Sequence, residues 1–383
     1  MPSDRIYLDY NATTPIDPMV ISTMLEALSQ YLGNPSSIHQ PGKESRRLLS
    51  QARQQIASYF SVRPQELIFT SGATEGMNLL LRGFFAGRRG GHLITSQAEH
   101  PCVLATCKYL ETQNIEVTYL APGLQGAISP EQLEQALRPD TALICLMAAN
   151  NETGIKTDLE AIASLAQRSK IPLFVDGVAW VGKEIPILHP GITALAFSGH
   201  KIYAPTGVGC VILRSHCKLQ PQISGGDQEM GRRAGSENFG GIIALAKAIE
   251  LLGGRMPKDT LRMEQLRNDF ERKLKDAIPG LKVHGEGMPR ICNTSNLYFP
   301  GLDGESLLIA LDLAGVAASL GSACSSGSIE PSRVLLAMGH SREIAHRSLR
   351  FSLGRHTTQE EMDRVVELIL RLQHEKEGCI DGR

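Results

Sequence analysis

Ala142-Leu143-Ile144-Cys145-Leu146-Met147-Ala148 is an unbroken apolar run. A strand with one wet face alternates apolar and polar residues. A run like this one instead reads as a strand buried on both faces, as in a parallel sheet covered by helices. Strand-like segments at 66–70 (ELIFT), 92–95 and 115–120 precede it, and others at 173–175, 194–197 and 208–213 follow. Helical patterns such as 75–85 and 159–168 separate several of these segments. The alternation predicts an α/β fold whose large domain is a mainly parallel seven-stranded sheet between helices.

The pattern changes near residue 253. Gly253-Gly254-Arg255-Met256-Pro257 reads as an exposed connection, followed by a charged helical stretch at 259–277. Beyond it come a strand at 295–299, a helix from Gly304, a glycine- and serine-rich loop at 321–328, a strand at 348–353 and a last helix from Thr358. We therefore expect a large α/β domain over 15–255, a smaller α+β domain from 1–14 and 256–376, and a disordered tail at 377–383.

Thirty-nine basic and 40 acidic residues leave a net charge of −1, which argues against a nucleic-acid partner. No run approaches the roughly 18 apolar residues of a membrane span. The first residues, with Asp4, Arg5 and Asp9, do not resemble a secretory signal. The expectation is a cytoplasmic protein with no membrane contact. Eight cysteines in 383 residues show neither a disulfide framework nor zinc-ligand spacing. Seven read as packing or plain surface thiols. Cys324 stands apart, because Gly321-Ser322-Ala323-Cys324-Ser325-Ser326-Gly327-Ser328 is small, polar and poor in packing groups, so its thiol does not read as a packing residue.

In open α/β sheets ligands bind beyond the carboxyl ends of the strands. The polar residues of this chain collect there. Ser71-Gly72-Ala73-Thr74-Glu75 joins a strand to a helix, so backbone N–H groups, the helix dipole and Thr74 suit a phosphate. A plain capped helix explains the same residues. Asp176 ends the strand at 173–175, where a carboxylate can keep a pyridinium nitrogen protonated; a turn before Gly177 is the simpler reading. Ser198-Gly199-His200-Lys201 sets a lysine at a sheet edge, suited to a Schiff base with an aldehyde cofactor, with Ser198 and His200 in reach of its phosphate. A solvated loop lysine is the ordinary alternative. His100, before Pro101, can stack on a ring and move protons, or simply start a helix. Each signal is weak alone. Together they supply phosphate cradle, ring-nitrogen partner, Schiff-base lysine and stacking base.

At these residues the chain resembles the cysteine desulfurases of the class V aminotransferase group, which have fold type I of the pyridoxal-phosphate enzymes. The resemblance covers nearly the whole length: YLDYNATTP from Tyr7, GNPSS from Gly33, FTSGATE from Phe69, AEHP from Ala98, ANNETG from Ala149, SGHK from Ser198, GRRAGSEN from Gly231, GSACSSGSIEPS from Gly321 and RFSLGR from Arg350. It implies pyridoxal 5'-phosphate carried on Lys201, with His100 on the ring as acid and base and Asp176 at the ring nitrogen. Ala73, Thr74, Ser198 and His200 would hold the phosphate, joined by Ser236 from a neighbouring subunit. Asn151, Arg355 and Asn34 would hold the carboxylate of L-cysteine. Cys324 would take the sulfur as a persulfide and leave L-alanine. A homodimer, and a sulfur-acceptor or scaffold protein for iron–sulfur cluster or other thio-cofactor assembly, are implied with it.

Two positions depart from the family pattern. Ala179 stands where a glutamine meets the phenolic oxygen of the cofactor, a loss on the order of 1 kcal/mol. Trp180 adds bulk beside it. Thr206 stands where the family has lysine. Selenocysteine lyase, or a degraded homologue acting as a non-catalytic assembly partner, are the competing readings. Released Lys201 or His100 is the group that moves the Cα proton.

Overall fold

A computed structural model describes residues 5–31, 33–321 and 330–381, with side chains to residue 375. Its strands are β1 (Ile6–Tyr7), β2 (Leu67–Thr70), β3 (His92–Ser96), β4 (Glu116–Leu120), β5 (Thr141–Met147), β6 (Leu173–Asp176), β7 (Ile192–Ser198), β8 (Gly209–Leu213), β9 (Lys282–Val283), β10 (Thr294–Tyr298), β11 (Val316–Ala317) and β12 (Ser348–Ser352). The large sheet has seven strands in the order β2-β8-β7-β6-β5-β3-β4. Every neighbouring pair is parallel except those made by β8, which runs antiparallel to both β2 and β7.

β5 shows why the sheet is parallel and covered. Leu143 and Cys145 pack with Leu80 of helix Ala73–Phe85 and Val103 of helix Pro101–Glu111. Ile144 and Leu146 pack on the other face with Ile56, Ile162 and Ile249, from helices Gln40–Tyr59, Leu159–Arg168 and Phe239–Ala277. Both faces are apolar because both are roofed. Where β8 begins, a Cβ on Gly209 would fall 2.6 Å from the Gly72 Cα. Only glycine lets these backbones meet, and the meeting brings the Ser71–Gly72 turn against the end of β7.

A second apolar cluster lies around the antiparallel sheet β12-β10-β9. Phe351 of β12 is fully buried between Phe270, at a ring-centroid distance of 5.2 Å, and Phe299, at 6.4 Å. β1 pairs in parallel with β11, so the first described residues belong to this part of the molecule.

Two expectations are corrected. The stretch 253–257 is no loop: one helix, Phe239–Ala277, runs through it with Pro257 inside. An interior proline costs about 3 kcal/mol. The helix tolerates it because Leu252 and Met256 are buried in the first core while Met263, Leu266 and Phe270 are buried in the second. The exposed glycines at 253 and 254 mark a face of that helix rather than a break. The tail expected to be disordered is also helical in its described part, since helix Gln359–Asp381 continues through it. Glu375 and Lys376 just before the tail, and Glu377 at its start, are good helix formers. Among the described residues no helix is long and apolar enough to cross a membrane.

Truncating Phe351 to alanine removes a fully buried ring from the second core. The expected cost is about 3–5 kcal/mol, read as a lower denaturation midpoint with the slope unchanged.

Candidate active site

The carboxyl ends of β2, β3, β5, β6 and β7 open on one cavity of about 300 Å³, a size suited to a small ligand. Its walls include Ala73, Thr74, His100, Asn151, Asp176, Ser198, His200 and Lys201, eight of the residues singled out from the sequence.

β7 ends at Ser198, and the short turn Gly199–Lys201 swings Lys201 inward. Its Nζ donates to the carbonyls of Asn11, at 2.5 Å, and Ala12, at 2.7 Å. Burial and the nearby Arg350 guanidinium pull its pKa down to about 8, with Lys183 acting in the same direction. Asp176 ends β6 and is 5% exposed. Its Oδ1 accepts the Val178 N–H at 3.0 Å. Burial pushes this carboxyl upward, opposed by that hydrogen bond and by His100 and Lys201.

His100 caps helix Pro101–Glu111. Burial lowers its pKa, and so do Lys201 and Arg333, while Asp176 opposes them; the ring is neutral near pH 7. At the helix that follows β2, the Ala73 N–H donates to Ser198 Oγ at 2.8 Å. An N–H, two hydroxyls and an imidazole thus converge at a helix start, the natural place for a phosphate. His200 is held by burial and by Lys201 down at about 4, so it serves there as a neutral ring.

Three predicted positions are not in the cavity. Asn34 is exposed, and its Oδ1 accepts the Ser36 N–H at 2.8 Å in a local turn. Ser236 is exposed. It lies three residues from Arg233, which pairs with Glu75 at 2.8 Å in the first turn of helix Ala73–Phe85. Arg355 is turned away: it pairs with Asp17 at 2.9 Å, both side chains 5% exposed, and its guanidinium lies 3.6 Å from the Tyr203 ring centroid. The arginines in the cavity are instead Arg333 and, from β12, Arg350. The Arg350 Nη atoms meet the Asn151 carbonyl at 3.1 Å and Asp9 at 2.7 Å, and its Nε is buried without a partner among the described residues. A signal for it exists in the sequence. In β12 the alternation Ser348, Arg350, Ser352 against Leu349, Phe351 puts Arg350 on the face away from the aromatic core, whereas Arg355 lies past the strand end. Cys324 lies outside the described residues, but Gly321 before it and Arg333 after it both line the cavity.

Other lining groups were not anticipated. Glu99 is 2% exposed; its Oε1 accepts the Met147 N–H at 2.8 Å and its Oε2 has no partner. Burial, and after it Asp176, push its pKa well up, which favours the protonated form. Lys183, Glu152 and Asn11 also contribute to the wall. Ala179 lines the cavity with a methyl group only. Trp180 does not line it: the ring is buried in the first core and its N–H reaches Glu184 at 3.1 Å. Thr206 is exposed, and nothing in the structure explains its departure from lysine.

The family model described as aminotransferase class V matches residues 6–365. The chain is similar to a cysteine desulfurase IscS of Dictyoglomus turgidum, 42% identical, with 96% of this chain and 94% of that protein covered. A solved NifS-like protein is 32% identical, covers 97% of this chain and 99% of its own, and superposes with a TM-score of 0.89. A structure of SspA in complex with cysteine is 33% identical, covers 92% and 100%, and has a TM-score of 0.82.

Arg355 is expected to matter for folding. Arg355→Ala leaves Asp17 buried with Arg255, at 3.1 Å, and the Met19 N–H, at 2.9 Å, as its partners among the described residues. That should cost about 3 kcal/mol or more of stability in a melt, without changing the affinity for a cysteine-like carboxylate. Arg350→Ala should weaken that affinity.

Proposed function

The chain belongs to the class V aminotransferase family and, within it, to the cysteine desulfurases, and on that premise we propose that its cavity holds pyridoxal 5'-phosphate and converts L-cysteine to L-alanine, passing the sulfur to Cys324. The observation that carries this reading is a lysine amine brought down to about 8 in the same cavity as a buried carboxyl that, among the described residues, has no cation in contact. A protonated pyridine nitrogen supplies the cation that Asp176 lacks, and an aldehyde is what a free lysine amine attacks. The N–H of Ala73 with Thr74, Ser198 and His200 fits the phosphate. The residues therefore fit the group. When bound, it supplies the electron sink for the bonds broken at the substrate carbons.

The remaining work falls to the protein. Arg350 Nε, a buried donor without a partner, is aimed for a carboxylate, and Asn151 lies beside it. Lys201, unprotonated above about 8, takes the Cα proton. The Cys324 thiolate attacks the substrate sulfur: an S–S bond forms, the C–S bond breaks, and the carbon side is protonated to alanine. Gly321 and Arg333 bracket this segment at the cavity wall, which supports Cys324 as the acceptor. Ala179 offers no donor to the cofactor, so turnover is set without the hydrogen bond that a glutamine makes in the family.

We propose a homodimer as well. Ser236 is absent from the cavity of its own chain, and Met19, Ile21, Leu25 and Leu28 are exposed on helix Pro18–Gln30. The persulfide would then pass to an acceptor or scaffold protein for iron–sulfur or other thio-cofactor assembly.

The test is a yellow purified protein that borohydride tags at Lys201 and that makes alanine and sulfide from cysteine. A colourless protein that cannot be reloaded refutes the reading. Apoprotein should take up the aldehyde faster as the pH rises through about 8, since only the unprotonated amine reacts; a rise only near the ordinary lysine value of 10.5 would count against the buried-amine argument. Cys324→Ala should keep the chromophore and lose desulfuration. Full sulfide release without added thiol rules out its role.

A further inference from the structure

A second thiol, Cys102, lines the cavity and touches His100. It sits in the first turn of helix Pro101–Glu111, one residue beyond Pro101. Its backbone N–H donates to His100 Nδ1 at 3.2 Å, and its Sγ lies 3.1 Å from the same nitrogen. A backbone N–H can only donate. Nδ1 must therefore accept, and the proton of the neutral ring is on Nε2. Nε2 has no protein partner among the described residues, so it is the edge of the ring left for a ligand.

We propose that Cys102 is a positioning residue: its S–H, with its own N–H, holds His100 as the Nε2–H tautomer, so that the neutral ring presents a hydrogen-bond donor to the substrate rather than a basic nitrogen. The inference rests on the functional reading above and deepens it, because it leaves Lys201 as the group that takes the Cα proton. Burial, with Asp176 and Glu99 nearby, keeps the thiol protonated, pushed up to about 12. A protonated thiol is a donor and a poor nucleophile. Cys102 therefore sits in the cavity without competing for the substrate sulfur. Thr74, on the phosphate side of the cavity, hydrogen-bonds to the same sulfur, so the thiol links the hydroxyl at the helix start to the ring.

The charged and titratable groups that face His100 come from several elements. They are Asp176 at the end of β6, Lys201 after β7, Arg333 on helix Arg333–Ala337, and the neighbouring Glu99. Asp176 favours the imidazolium; Lys201 and Arg333 oppose it. A donor at Nδ1 favours the neutral ring further. Removing the thiol should therefore raise the His100 titration.

The test is nitrogen-15 NMR of ring-labelled histidine in the full-length, cofactor-loaded protein, with His100→Gln to identify the signal. The parent should show a protonated Nε2 and an acceptor Nδ1. In Cys102→Ala the His100 titration should move up by about half to one unit, and in Cys102→Ser, which keeps a donor, it should stay with the parent. The low-pH limb of kcat should move with it. A proton on Nδ1 in the parent, or a Cys102→Ala titration that coincides with the parent, overturns the proposal. The NMR readout does not depend on turnover. A protein inactive on cysteine but showing the expected tautomer and shift overturns the functional reading alone.

Discussion

The hydrogen bonds that close the site run through a short N-terminal segment. Asp9 takes the buried Arg350 guanidinium at 2.7 Å, the Asn11 N–H donates to Ser352 Oγ at 2.9 Å, and the Thr14 N–H donates to the His200 carbonyl at 2.9 Å. The carbonyls of Asn11 and Ala12 face the Lys201 amine. The segment is thus pinned by β12 on one side and by the turn after β7 on the other. Removing one member of a buried charge pair costs several kcal/mol, because the other is left without compensation. Arg350 is in this position: one nitrogen braces the segment through Asp9, a second holds the Asn151 carbonyl, and the third has no partner among the described residues.

The same arrangement governs the charges. Lys201 is buried beside a second cation, so its proton is held loosely, yet the carbonyls and Asp9 keep it from being expelled altogether. The floor is acidic by composition but carries less negative charge than it seems to. Burial, and after it the neighbouring Asp176, push the Glu99 carboxyl toward its neutral form. Asp176 is then the carboxyl placed to meet a ring nitrogen, while Glu99 closes the wall by accepting the Met147 N–H.

Much of this was legible in the chain. The apolar run at 142–148 announced β5 because both of its faces are roofed, and Ser198 to Lys201 announced the turn because polar residues followed directly on an apolar strand. Asp176 and His100, read the same way, line the cavity. Asn34 and Arg355 lie outside it. Asn34 serves a local turn, and Arg355, though in the same short motif as Arg350, falls beyond the end of β12, where the two-residue period no longer applies. Pro257 looked like a stop because the penalty for proline is local, whereas the burial that offsets it comes from two separate cores.

By itself the sequence determined the parallel sheet, the order of its strands along the chain, and the set of polar residues at their carboxyl ends. Those features depend on the period and composition of single elements. Only the tertiary structure decided that Arg350 enters the cavity and Arg355 pairs with Asp17, that Glu99 is buried beside Asp176 with its pKa pushed up, and that the Asn11 and Ala12 carbonyls receive Lys201. The physical reason is that a side chain's desolvation and partners are set by whichever remote element covers it. Residues 9 and 350, or 12 and 201, meet only when the chain has closed.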